Sequence, residues 1–161
     1  MACLGSVRRR VCGHTGSMFG DDPRLCTFCA IAAGDRPAEV IFEDEHVMAF
    51  MDALPMTRGH MLLIPRRHVR DLYEIGHDHA GPLLLAASHL SRRITGALGA
   101  KGVNLLNNNG HEADQSQFHV HFHLIPRYGN DRLLQPHERR FGHWPEIRLI
   151  AEELRSWSEH V

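Results

Sequence analysis

Two groups of residues in this sequence have the types and spacing to do chemistry. Residues 118–127 read Phe-His-Val-His-Phe-His-Leu-Ile-Pro-Arg, with His119, His121 and His123 on alternate positions. The β-branched and aromatic spacers favour a strand, which sends alternate side chains to opposite faces. The three imidazoles should therefore share one face, while Val120, Phe122 and Leu124 pack into a core on the other. A solvated face on a half-exposed strand and a histidine-rich metal tract are the plainer explanations; three rings at strict period two favour a chemical site. Neutral imidazole is a competent nucleophile near pH 7, and its attack on phosphorus gives a phosphoramidate that water can cleave. The second group is Cys26-Thr27-Phe28-Cys29. Its spacing is that of half a tetrahedral zinc site, and by itself it suits a redox pair or two buried thiols equally well.

The elements that must position these residues can be read from periodicity and turn chemistry. Cys26 to Ala33 suits a short helix closed by Gly34-Asp35-Arg36-Pro37. Val40 to Glu43 and Val47 to Met51 read as strands joined by Asp44-Glu45. Asp52 to Gly59 is a loop, and His60 to Pro65 a strand with the apolar run Met61 to Ile64. The main helix is expected from about His79 to Leu98, with Leu83, Leu84, Ala87, Leu90, Ile94 and Leu98 on its buried side. Val103 to Asn107 is a strand, Asn108 to Gln117 a polar loop, and 118–127 the histidine strand, ended by Pro126. Residues 129–144 look irregular. Pro145 then opens a final amphipathic helix carrying Ile147, Ile150, Ala151, Leu154 and Trp157. The sum is an α+β domain: an antiparallel sheet of about five strands, one long helix and a C-terminal helix.

Composition bounds the partners. The chain has 161 residues, enough for one domain with a substantial core, and is 43% hydrophobic and 23% charged. A formal net charge of -1 gives no general electrostatic case for nucleic acid or an anionic membrane, so an anionic ligand must be held by a local site. No apolar run approaches the roughly 20 residues that cross a bilayer. Residues 1–20 are expected to form a disordered extension ahead of a single domain over 21–161, with Met18 as an alternative start. That extension contains Arg8-Arg9-Arg10 without the apolar stretch of a secretion signal, which points to a cytoplasmic protein. Cys3, Cys12, Cys26 and Cys29 should then be reduced thiols or metal ligands.

Taken together, these segments resemble the histidine triad family of nucleotide hydrolases and transferases. His119-Val120-His121-Phe122-His123-Leu124-Ile125 matches its His-x-His-x-His-x-x signature. Phe50 to Pro55 followed by Gly59 to His68 is a second match, and Asn108-Asn109-Gly110 through Gln115-Ser116 a third. The resemblance implies that His121 attacks an α-phosphate and carries a nucleotidyl intermediate. His123 would contact the phosphate oxygens, and the main-chain carbonyl of His119 would fix the tautomer of His121. It also implies that Asp52 takes the ribose hydroxyls, that Asn108 reaches phosphate or ribose, and that Gln115 and Ser116 meet phosphate oxygens. For zinc-bearing relatives the implied ligand set is Cys26, Cys29, His68 and His119, a closed structural site that would divide the triad into one anchor and two catalytic rings.

The expected activity is hydrolysis at the α-phosphate of an adenine-type nucleotide conjugate, either a nucleoside phosphoramidate or a dinucleoside polyphosphate. A weakly catalytic nucleotide-binding regulator and a nucleotidyl transferase are the alternatives; His123, where transferase relatives carry glutamine, favours hydrolysis. A homodimer joined at sheet edges is carried over from the resemblance. His60 is expected to support the site, and Trp144 and Trp157 to be core or dimer contacts. Asp114 departs from the family pattern, in which many relatives have glycine, and should point to solvent to avoid weakening phosphate binding.

Overall fold

The structure, a computed structural model, describes residues 22–129, 131 and 142–157. The extension expected over 1–20, with Met18, lies outside the described residues, as does most of 129–144. Five strands, β1 (Val40–Glu43), β2 (Val47–Met51), β3 (Met61–Pro65), β4 (Gly102–Leu106) and β5 (Phe122–Arg127), form one antiparallel sheet in the order β1-β2-β3-β5-β4. Among the described residues three α-helices accompany it: α1 (Thr27–Ala33), α2 (His77–Leu98) and α3 (Trp144–Ser156). This is the α+β arrangement expected from the sequence. None of these helices is long and apolar enough to cross a membrane.

The sheet is covered on both faces, and strict alternation decides which residue goes where. Val47, Ala49, Met51, Met61, Leu63 and Leu124 join Leu83, Leu90, Ile94 and Leu98 of α2 and Ile147, Ile150 and Leu154 of α3 in the larger core. Met48, Phe50, Leu62 and Ile64 point the other way and meet Phe28, Ile31 and Ala32 of α1 in a smaller one. Burial on both sides explains why β2 and β3 read as continuous apolar runs. His123 stands opposite Leu62 in the β3–β5 ladder, so it belongs to the α1 face, while Phe122 packs against the larger core.

Several boundaries depart from the sequence reading. Among them is β5, whose pairing runs past Pro126 to Arg127 in its ladder with β4, and three further departures are informative. The buried stripe of α2 is Leu83, Ala86, Ala87, Leu90, Ile94 and Leu98, whereas Leu84 is exposed. One residue is a 100° step around a helix, and Leu83 already fills the direction of the core. α2 also begins two residues earlier, at His77. The third departure matters for function: the ladder of the histidine strand starts only at Phe122. Residues 119–121 lie outside the ladder and are paired differently, since the Val120 N–H donates to the Val69 carbonyl at 2.7 Å and the Asn107 side-chain amide donates to the His121 carbonyl at 2.8 Å.

Candidate functional site

The three histidines share the α1 side as period two requires, yet they are buried: His119, His121 and His123 are 0%, 4% and 3% exposed. A buried polar atom without a partner costs about 1–3 kcal/mol, so each ring nitrogen has to be accounted for. The partners fix the tautomers of the neutral rings. A carbonyl can only accept, so the 2.9 Å contact between His119 Nε2 and the Pro65 carbonyl places the His119 proton on Nε2 and its lone pair on Nδ1. His121 is held the opposite way. Its Nδ1 donates to the His119 carbonyl at 2.8 Å, leaving the lone pair on Nε2.

His60 extends this accounting. It is fully buried, and its Nδ1 accepts from the Met56 N–H at 3.0 Å, so its proton sits on Nε2. That nitrogen lies 3.0 Å from His123 Nδ1 and 3.5 Å from Asp52 Oδ2. With His60 donating, His123 Nδ1 accepts and the His123 proton is on Nε2. The adjacent rings of His121 and His123, 5.1 Å between centroids, thus offer a lone pair and an N–H respectively. Asp52 Oδ1 accepts from the Leu54 N–H at 2.9 Å, which turns the loop after β2 and holds the carboxylate beside this chain of rings.

His121, His123, Asp52 and Ser116 line one cavity of about 240 Å³. Its apolar walls come from Phe28 and Ile31 of α1, Phe50 and Leu62 of the sheet, and Leu54, with Trp144 of α3 at the mouth. Phe28 lies edge-on to His121 at 5.2 Å and to Phe50 at 5.5 Å.

The other implied residues sit in the loop behind the histidines. The Gln115 side chain is buried and committed to that loop: its Oε1 accepts from the Gly110 N–H at 2.7 Å, and its Nε2 donates to the carbonyls of Arg70 and Gln117. The Asn108 amide lies 3.5 Å from the Asp114 carbonyl. Ser116 is exposed and reaches the cavity. Asp114 is also exposed, as expected, and has φ 62°, which makes it the sole non-glycine in a left-handed conformation among the described residues. The turn, more than close approach to phosphate, explains a preference for glycine there.

The cysteines meet the other end of the triad. Cys26 Sγ lies 3.4 Å from His119 Nδ1, Cys29 Sγ 3.2 Å from His68 Nδ1 and 3.5 Å from His119 Nδ1. The four donor atoms lie within 4.8 Å of one another. Tetrahedral metal bonds of about 2.3 Å to sulfur and 2.0–2.1 Å to nitrogen would separate sulfur from nitrogen by about 3.5 Å, so the observed spacing fits a cation of that preference. Burial pushes the His119 ring down to about 4, keeping it neutral, and burial with the adjacent Cys26 thiol pushes Cys29 up to about 12. Two thiolates side by side require a compensating cation.

Sequence reasoning gave His60 only a supporting part and left out Phe28 and Asn107, and it placed Trp144 in the core or a dimer contact. Trp144 is 53% exposed at the rim of the cavity and so lies outside the core. Position between the two cysteines was the available signal for Phe28. Nothing in the sequence marked Trp144.

A five-stranded antiparallel sheet with a buried histidine row beside an apolar cavity is the arrangement of a histidine triad protein, and comparison with known proteins agrees. Residues 33–130 match the HIT domain family model, and the chain belongs to this family. It is 46% identical over 104 residues to the "Protein hit" of Bacillus subtilis, covering 65% of this chain and 72% of that protein. It is 33% identical over 136 residues to an adenosine 5'-monophosphoramidase of Schizosaccharomyces pombe, covering 84% and 95% respectively. Among solved structures, a zinc-bound histidine triad family protein of Mycobacterium smegmatis superposes with a TM-score of 0.74 at 35% identity, covering 83% of this chain and 93% of that one.

The strained turn gives a stability prediction. Replacing Asp114 with glycine relieves a left-handed residue but adds freedom to the unfolded chain, so Asp114→Gly is expected to raise stability by up to about 1 kcal/mol. The urea midpoint of unfolding measures it; a fall would show that the Asp114 side chain itself holds the loop.

Proposed function

We propose that the protein hydrolyses adenine-type nucleotide conjugates at the α-phosphate, the substrates being nucleoside phosphoramidates or dinucleoside polyphosphates. The observation that carries this reading is the donation from His121 Nδ1 to the His119 carbonyl, which leaves the His121 lone pair on Nε2. The name of the Schizosaccharomyces pombe relative supports the phosphoramidate class.

In the proposed reaction Asp52 accepts both ribose hydroxyls, as a carboxylate can, and the base lies between α1 and the sheet. His121 Nε2 attacks the α-phosphorus; a P–N bond to the ring forms as the bond to the leaving group breaks, and that group takes up a proton. His123 donates its Nε2–H to a phosphate oxygen, stabilising charge as it develops. Water then attacks phosphorus, the P–N bond to His121 breaks, and nucleoside monophosphate leaves with the imidazole restored. Ser116 and Asn108 contact the phosphate or ribose, and Gln115 acts by shaping the loop that presents Ser116. Positioning does much of the work, because hydrogen bonds to fixed partners orient each ring for its role.

His121→Ala is expected to lower the rate of AMP release from adenosine phosphoramidate or diadenosine polyphosphate by at least about 1000-fold while AMP still binds. Full activity in that variant would remove His121 as the nucleophile. Binding of AMP by the wild type without turnover of either substrate would make the protein a nucleotide-binding regulator instead.

We infer further that Cys26, Cys29, His68 and His119 hold a zinc ion. The donor spacing supports this, as does the zinc-bound Mycobacterium smegmatis relative. With four protein ligands the ion is structural and ties α1 to the segment that carries His121. Elemental analysis of protein purified without chelator should find about one zinc per chain, and Cys29→Ser should lose the metal and lower the melting temperature. Metal-free wild-type protein of unchanged melting temperature would contradict the assignment.

A homodimer through β4 fits the open edge that this strand presents, with Leu105 exposed. Sedimentation should give twice the chain mass at micromolar concentration; a monomer would exclude it.

A further inference from the structure

Trp144 lies at the rim of the cavity that His121, His123 and Asp52 line, and the proposed reaction leaves it without a task. Its surroundings fix its place. The Gly142 N–H donates to the Ala53 carbonyl at 3.1 Å, pinning the start of α3 to the loop after Asp52. A Cβ on Gly142 would come within 2.7 Å of Ile147 Cδ1 and 2.9 Å of Pro55 Cδ, so glycine permits this close approach. Farther along α3, Arg155 donates to the Val40 carbonyl at 2.8 Å and pairs with Glu39, which Arg148 also reaches. Arg58 pairs with Glu153. The helix is tied down along its length, and these ties hold the indole beside Ala53 and Leu54, two residues that share the cavity wall with it.

Stacking on a base requires an aromatic face that is still open. Phe28 and Phe50, the other two benzenoid rings on the cavity wall, are 7% and 3% exposed and pack edge-on against each other. Trp144 is 53% exposed. Trp157, the second tryptophan, is spent elsewhere, since its ring occupies the space a side chain on Gly96 of α2 would take. Among the described residues lining the cavity, Trp144 alone of these rings has much of its surface open.

We propose that Trp144 is a specificity-determining residue that stacks on the nucleobase of the bound nucleotide and forms the outer wall of the base site, opposite α1. The proposal rests on the nucleotide reading above. A base enters with its ribose on Asp52 and its phosphate at His121, and its outer face meets the indole. Indole stacking is tolerant of base identity but grows with ring area, so purine nucleotides gain more than pyrimidine nucleotides. Because Trp144 touches the base and not the reacting phosphorus, its effect falls on binding.

The test uses the two tryptophans separately, with AMP and CMP as probes. In full-length Trp157→Phe protein, AMP should quench the remaining tryptophan fluorescence saturably. Trp144→Leu should weaken AMP binding, read by calorimetry, about tenfold, and should narrow the preference for AMP over CMP. With adenosine phosphoramidate it should raise KM by a similar factor and hold kcat within about twofold, and Trp144→Phe should recover most of the loss. Unchanged AMP affinity in Trp144→Leu would overturn the proposal, whether or not Trp157→Phe folds, and so would a fall confined to kcat. Failure of the wild-type protein to bind AMP at all would overturn the nucleotide reading itself, and the stacking role with it.

Discussion

Everything at this site depends on the three hydrogen-bonding groups of His119 pointing in three directions. Its Nε2–H goes to the Pro65 carbonyl at the end of β3, its Nδ1 faces the two cysteine sulfurs, and its main-chain carbonyl accepts the proton of His121 Nδ1. With no exposed surface, none of these groups can fall back on water. The ring therefore sets the end of β3, the approach of α1 and the tautomer of His121 at once. Ladder pairing could not have done this. Had residues 119–121 continued the β5 ladder, the 119 and 121 main chain would have been committed to a neighbouring strand in the regular pattern, and the His121 ring would have had to seek its acceptor elsewhere.

The second dependence is on the unequal covering of the sheet. α2 and α3 bury one face with long apolar stripes, whereas α1 is only seven residues long and covers β2 and β3 with Phe28, Ile31 and Ala32. A helix that short has little intrinsic stability and is held by packing and by its ends. At one end Gly34 closes it in a left-handed conformation, and at the other Cys26 Sγ accepts from the Cys29 N–H. α1 meets His119 through Cys29 and His121 through Phe28, and beside Leu62 and His123 the face is left as a cavity lined by the sheet, α1 and Trp144 of α3. The site is where the smaller core runs out.

Much of this was legible in the sequence, for physical reasons that differ by feature. Period two put the three rings on one side of the chain, and the apolar run of β3 marked a buried strand, though not the division of its residues between two cores. The cysteine spacing announced a pair of donors on one turn. What could not be read was burial: a row of three imidazoles looks solvated until the partners that satisfy them are known, and those partners, the Pro65 carbonyl for His119, the His119 carbonyl for His121 and His60 for His123, are backbone groups or lie far off in sequence. Leu84 was misplaced because a 100° step separates it from Leu83, and an apolar tally of α2 does not resolve one step. The place of Trp144 beside the cavity could not be read because it follows from Gly142 and Pro55 in contact, a long-range relation that no local pattern contains.

The same contacts explain how four histidines can crowd into one buried cluster with their ring protons placed. His119, His121 and His60 each have one nitrogen whose role is dictated by a backbone group, a carbonyl for the first two and an N–H for the third. Each backbone partner specifies the proton's place, and from His60 the specification passes across 3.0 Å to His123. Main-chain partners suit this task better than side chains would. They cannot rotate away, do not titrate, and are positioned by the strands they end or begin. A carboxylate in the place of the His119 carbonyl would have favoured the charged form of His121 and so removed its lone pair. The main chain thus supplies the uncharged acceptor that leaves the lone pair of a neutral His121 on Nε2.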